Sequence, residues 1–106
     1  MKNSVQRESV RYIVFKEGVT WYAVALEFNI VEEADNPDAA LLYLFEAMRG
    51  YINSARKSKS RMNFALNQKT DSEYENLWKE IKSTKYGRIK SPYAVYASGT
   101  REFAHV

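Results

Sequence analysis

An α+β fold, a sheet of three or four antiparallel strands packed on one long helix, is what this 106-residue sequence predicts. Two features carry the expectation. β-branched and aromatic runs joined by a short Gly-containing turn stand near the start, and a capped stretch with helical apolar spacing follows them. A chain of this length makes a single domain over residues 1–106. Its core spans 10–57, and a second helix with an extended, wrapping segment fills 58–106.

The first strand is read from Val10-Arg11-Tyr12-Ile13-Val14-Phe15, and Glu17-Gly18-Val19-Thr20 supplies the turn. From Trp21 to Ile30 the pattern alternates. Tyr22, Val24, Leu26 and Phe28 fall on one face, and Trp21, Ala23, Ala25 and Glu27 on the other. After a bend at Asn29, Ile30-Val31-Glu32-Glu33-Ala34 forms a third, shorter strand. Asn36 then reads as a helix N-cap, with Pro37 at the first helical position and Asp38 facing the positive end of the dipole. The helix over 37–57 carries an apolar stripe wider than one sheet face requires, because Leu42 and Tyr43 widen the set Leu41, Leu44, Phe45, Met48, Tyr51 and Ile52. Either the C-terminal segment or a second copy of the chain must cover the excess. Further on, Thr70 and Glu73 match a capping box for a helix over 71–83. That helix has a narrow stripe of Tyr74, Leu77, Trp78 and Ile81, one wet face, and Tyr86-Gly87 as its close. Residues 91–96 are extended, as an edge strand or a wrap.

Composition narrows the class. Hydrophobic residues at 45% and charged residues at 27% belong to a globular chain. No stretch approaches the roughly 18–20 apolar residues of a membrane span, and the first residues read as neither signal nor anchor. A soluble, cytoplasmic protein without membrane contact is expected. The net charge of +3 hides an asymmetry: residues 1–50 sum to −3 and residues 51–106 to +6. From Glu17 to Met48 there are seven carboxylates and no Lys or Arg. Segregation of this kind steers partners of opposite charge, although it also serves as a plain solvated surface.

Residues for chemistry are scarce. Cysteine is absent and the one histidine, His105, is next to the C-terminus, which removes Cys–His, serine-triad and zinc arrangements. The four glycines are too scattered for a phosphate loop. Carboxylates remain, but Glu32 and Glu33 point to opposite faces of a strand, so neither a metal nor another cofactor is expected. The reading is a non-catalytic binding module. Trp21, beside Ala23 and Ala25 on a shallow strand face, is a candidate anchor for a partner, together with Glu27, Glu32, Glu33 and Asp35. Arg56, Lys57, Lys59 and Arg61 are candidate phosphate contacts, which keeps a nucleic-acid-binding module open as an alternative, though not the favoured one.

From Tyr12 onward the pattern resembles the HicB-like antitoxin family. The residues that carry the resemblance are Tyr12-Ile13-Val14-Phe15, Trp21-Tyr22-Ala23-Val24-Ala25-Leu26-Glu27, Val31, and Ala34-Asp35-Asn36 leading to Ala40-Leu41 and Glu46-Ala47, over about residues 10–52. Ala34 stands where the family has Gly, Ala39 where it has Glu, and Phe28-Asn29-Ile30 where it has Pro-Gly-Cys. The resemblance implies a β-β-β-α core like a reduced ribonuclease H fold without its catalytic carboxylates. It also implies a role, within a toxin–antitoxin system, in sequestering a small basic toxin that targets RNA. The operator-binding domain that many family members carry needs two consecutive helices, and only one is read after residue 58. The wide stripe of the first helix points to a homodimer, through edge strands or helix-to-helix packing.

Overall fold

The computed structural model describes residues 7–57, 71–83 and 94–104. Strand β1 (Arg7–Glu17) turns into β2 (Thr20–Ala25), β3 (Ile30–Ala34) and the long helix α1 (Pro37–Lys57); helix α2 (Ser72–Ser83) and strand β4 (Ala94–Ala104) follow. The four strands form one antiparallel sheet in the order β3-β2-β1-β4, so β3 and β4 are its edges. The expected α+β architecture is present, with α1 over 37–57 as read from the sequence and the extended C-terminal segment serving as an edge strand.

Local chemistry explains each turn. Glu17 pairs with Thr20, leaving Gly18 and Val19 as a two-residue hairpin loop. Gly18 takes φ +65°, and Val19 needs no positive φ, as in a type II′ turn. The second turn corrects the sequence reading. β2 stops at Ala25, and Leu26–Asn29 form a turn in which Asn29 takes φ +55°, a conformation Asn tolerates better than most residues. The period-two pattern breaks there, so Phe28 leaves the face of Tyr22, Val24 and Leu26. It packs instead on the α1 side, stacked on Tyr51 with ring centroids 4.7 Å apart.

Two cores lie on opposite faces of the sheet. Val10, Val14, Ala23, Ala25 and Phe28 meet Ala40, Leu44, Met48, Ile52 and Ala55 of α1. Ile13, Phe15, Val24 and Leu26 meet Leu77 of α2, with Tyr22, Tyr74, Trp78, Ile81 and Val95 around them. Burial on both faces is why β1 reads as a continuous apolar run instead of alternating. Ala23 and Ala25 are therefore covered, and their small side chains leave room for Leu44 and Met48; the open shallow face expected around Trp21 is the seat of α1. The stripe of α2 is as expected, but it serves the far face of the sheet. It cannot be the lid over the excess apolar surface of α1.

The cap read from the sequence is present at α1, and Asp71 serves the first turn of α2. The Asn36 side chain accepts from the Ala39 amide at 2.8 Å, the expected N-cap of α1. At α2 the amide of Glu73 donates to the Asp71 carboxylate at 2.9 Å, and the amides of Tyr74 and Glu75 donate to the Asp71 carbonyl. Thr70, the cap read from the sequence, lies outside the described residues, as do Tyr86-Gly87 and residues 91–93.

β4 holds two features that no periodicity announces. Val14 faces Ala97 and Phe15 faces Val95, so Tyr96 is the extra residue of a bulge. Gly99 lies opposite Tyr12, where a Cβ would stand 2.9 Å from the phenol oxygen and 3.1 Å from Cζ. The Tyr12 ring cannot yield easily, since it packs edge-on against Phe45 at 5.3 Å. Gly99→Ala should cost about 1–3 kcal/mol, measured by urea unfolding, and the loss should shrink in a Tyr12→Phe background.

The α2 face also has a pH signature. Burial, then the negative charges of Glu73, Asp71 and Glu17, raise the Tyr74 phenol above its ordinary value, and its ring packs 6.1 Å from that of Phe15. The folded state thus holds this proton longer than the unfolded chain. The contribution of Tyr74 is complete below about pH 10 and is lost as pH rises through the higher folded value. In a Trp21→Phe background, Trp78 fluorescence should report loosening of α2 above that pH, and Tyr74→Phe should remove this part of the transition.

Candidate protein-binding site

The carboxylates singled out in the sequence separate into two groups. Glu27 belongs to an internal clamp. Its Oε1 accepts from the Arg11 backbone amide at 2.7 Å and its Oε2 from Arg11 Nε at 2.6 Å. The same guanidinium donates through Nη1 and Nη2 to Glu75 of α2, at 2.6 and 2.9 Å, and lies 5.5 Å from the centre of the Trp78 ring. The hydrogen bond to Glu75 is the largest of the effects that raise the Arg11 pKa above its ordinary value. Arg11 so ties the β2–β3 turn and α2 to the central strand. Both Glu27 carboxylate oxygens are thus engaged with Arg11 inside the fold.

The other group stays at the surface. β3 pairs only with β2 among the described residues, which leaves its outer edge free. Glu32 is half-buried and opposite Ala23, on the α1 face; Glu33 is exposed and opposite Tyr22, on the α2 face; Val31 shares that second face and is also exposed. The strand alternation requires the two glutamates to diverge, as the sequence predicts. Asp35 and Asp38, both exposed, continue the line into the first turn of α1. An acidic ridge thus runs along an edge strand, unpaired on its outer side among the described residues, to a helix N-terminus.

Next to the ridge is an aromatic pair. Trp21, opposite Ala34 in register, is half-buried, and its ring meets that of Tyr96 edge-on at 5.7 Å. The Tyr96 hydroxyl donates to Asp38 Oδ1 at 3.2 Å, and the Asp38 charge raises the Tyr96 phenol above its ordinary value. Lys16 Nζ lies 5.6 Å from the Trp21 ring centre, within reach of a cation–π contact. Trp21, half-buried against the α1 core, remains a candidate anchor, but not on a bare strand face. Tyr96 and Asp38 complete the patch, and the bulge that delivers Tyr96 has no signal in the sequence.

Of the basic candidates, Lys57 is exposed at the end of α1, and Arg56 belongs to the same last turn; Lys59 and Arg61 lie outside the described residues. Among the described residues, no three His, Cys, Asp or Glu side chains stand together as a metal site, and no helix is long and apolar enough to cross a membrane.

The fold and this surface define an α+β domain with an acidic edge strand, unpaired on its outer side among the described residues, and an adjoining aromatic patch. Comparison with protein-family models, with curated proteins and with solved structures yields no match.

Proposed function

We propose that this chain is a non-catalytic, cytoplasmic protein-binding module of the HicB antitoxin type, a homodimer that sequesters a small basic toxin directed at RNA. The observation that carries the reading is the acidic ridge that Glu32 and Glu33 begin on an edge strand with no outer partner among the described residues, and that Asp35 and Asp38 continue into α1. Unpaired backbone groups at such an edge accept an added strand. Carboxylates along it repel a second copy of the same edge and attract a basic segment, which favours association kinetics and partner choice more than raw affinity. Trp21 and Tyr96 offer flat apolar contact beside the charges, as an anchor requires. The order β-β-β-α is also what the resemblance in the first half of the chain implies.

The test is co-expression with the product of a neighbouring reading frame that encodes a short basic protein, followed by association measured against salt. Binding should be tightest at low salt, where charge attraction is least screened. The triple variant Glu33→Lys, Asp35→Lys, Asp38→Lys should slow association by roughly tenfold or more. No association at low salt, or association indifferent to the triple reversal, overturns the reading.

A further inference from the structure

We infer that the outer stripe of α1 is the surface through which two copies of this chain meet, with the two helices antiparallel across a two-fold axis. This rests on the homodimer reading and names its interface. Most of the apolar excess on α1 is accounted for inside the fold. Phe45 packs on Tyr12 and under the Arg101 guanidinium, Tyr51 stacks on Phe28, and Met48 and Ile52 are buried. What remains outside is Leu42 and Tyr43, 55% and 46% exposed, on the face opposite Leu44 and Met48. α2 lies across the sheet from this face and does not cover it.

Four exposed residues line this face at helical spacing, one apolar and three polar. Leu42, Glu46, Arg49 and Asn53 recur at intervals of four, three and four, and all are exposed. Tyr43 and Gly50 run along one flank, one heptad apart, and nothing lies within 4 Å of the space a Cβ would occupy at Gly50. Charge decides the occupant. Glu46 and Arg49 carry opposite signs three residues apart, and neither makes an ion pair among the described residues. A parallel pairing in register would set like against like. An antiparallel two-fold pairing sets Glu46 against Arg49 of the partner subunit and Arg49 against the partner's Glu46, with Leu42 closing each end. The same operation brings Tyr43 toward the partner's Gly50, where there is room for a ring. The stripe is complementary to itself, which is what an isologous interface requires.

The test is sedimentation equilibrium over a wide concentration range for the full chain and three variants: Glu46→Arg, Arg49→Glu, and both together. Both side chains are exposed, so the thermal midpoint measured well below the dimer Kd should hardly move. Each single variant places like charges across the axis twice and should raise the dimer Kd by roughly tenfold or more. The double variant should recover the original Kd to within about threefold, and an equimolar mixture of the two single variants should form a heterodimer at wild-type strength. A wild-type dimer that both single variants leave intact would place the interface elsewhere while sparing the homodimer. A wild-type chain that is monomeric at every concentration would overturn both.

Discussion

Replacing Arg11 by alanine is expected to lower the unfolding free energy by about 2–4 kcal/mol, one of the largest single-site effects in the molecule. The guanidinium makes three side-chain hydrogen bonds to two carboxylates and lies against Trp78. Its removal leaves Glu27 and Glu75 partly desolvated without that cation. Side-chain exposures of 27%, 18% and 29% for Arg11, Glu27 and Glu75 keep the figure below that of a fully buried network. The loss should be read by urea unfolding at low and high salt. Adding Glu27→Gln should return part of the stability, because that carboxylate has lost the guanidinium it was paired with. If Arg11→Ala costs under about 1 kcal/mol, the carboxylates rehydrate freely and the clamp is only a surface pair.

Leu77→Ala is expected to cost a similar amount, about 2–4 kcal/mol, but with a different spatial signature. Leu77, 3% exposed, is the one buried residue of α2, whereas α1 sinks Ala40, Leu44, Met48, Ile52 and Ala55 into the opposite core. A helix held by one deep side chain and one ion clamp opens locally before the rest of the fold yields. Hydrogen exchange should therefore accelerate in α2 of Leu77→Ala while the amides of α1 keep their protection. Leu44→Ala, at the centre of the α1 core, should accelerate exchange in α1 and the sheet together. Equal acceleration of both helices by Leu77→Ala would show that the two cores unfold as one unit.

The candidate site was only partly legible in the residues. Glu32, Glu33 and Asp35 could be placed on a surface because a short edge strand with two adjacent glutamates cannot bury both. Glu27 looked equivalent to them by charge and proximity along the chain. Its place in the clamp depends on Arg11, sixteen residues earlier, and on Glu75, sixty-four residues after Arg11, and sequence spacing carries no sign of either contact. Trp21 stays half-buried, but its neighbours Ala23 and Ala25, read as open surface, are covered by α1. Small residues on a strand look the same whether they leave room for a partner or for the chain's own helix.

Local signals by themselves determined the hairpin at Gly18, the third strand after Asn29, the Asn36 cap, and α1 from Pro37 to Lys57. Each depends on the conformational preferences of a few adjacent residues and on a period that one element sets. Only the tertiary structure decided that α2 covers the face opposite α1, that Phe28 changes sides at a tight turn, and that a bulge in β4 brings Tyr96 to Trp21 and Asp38. Those outcomes depend on which surfaces meet across the sheet. An apolar stripe states that it must be buried, and the competition among all the faces of the molecule states where.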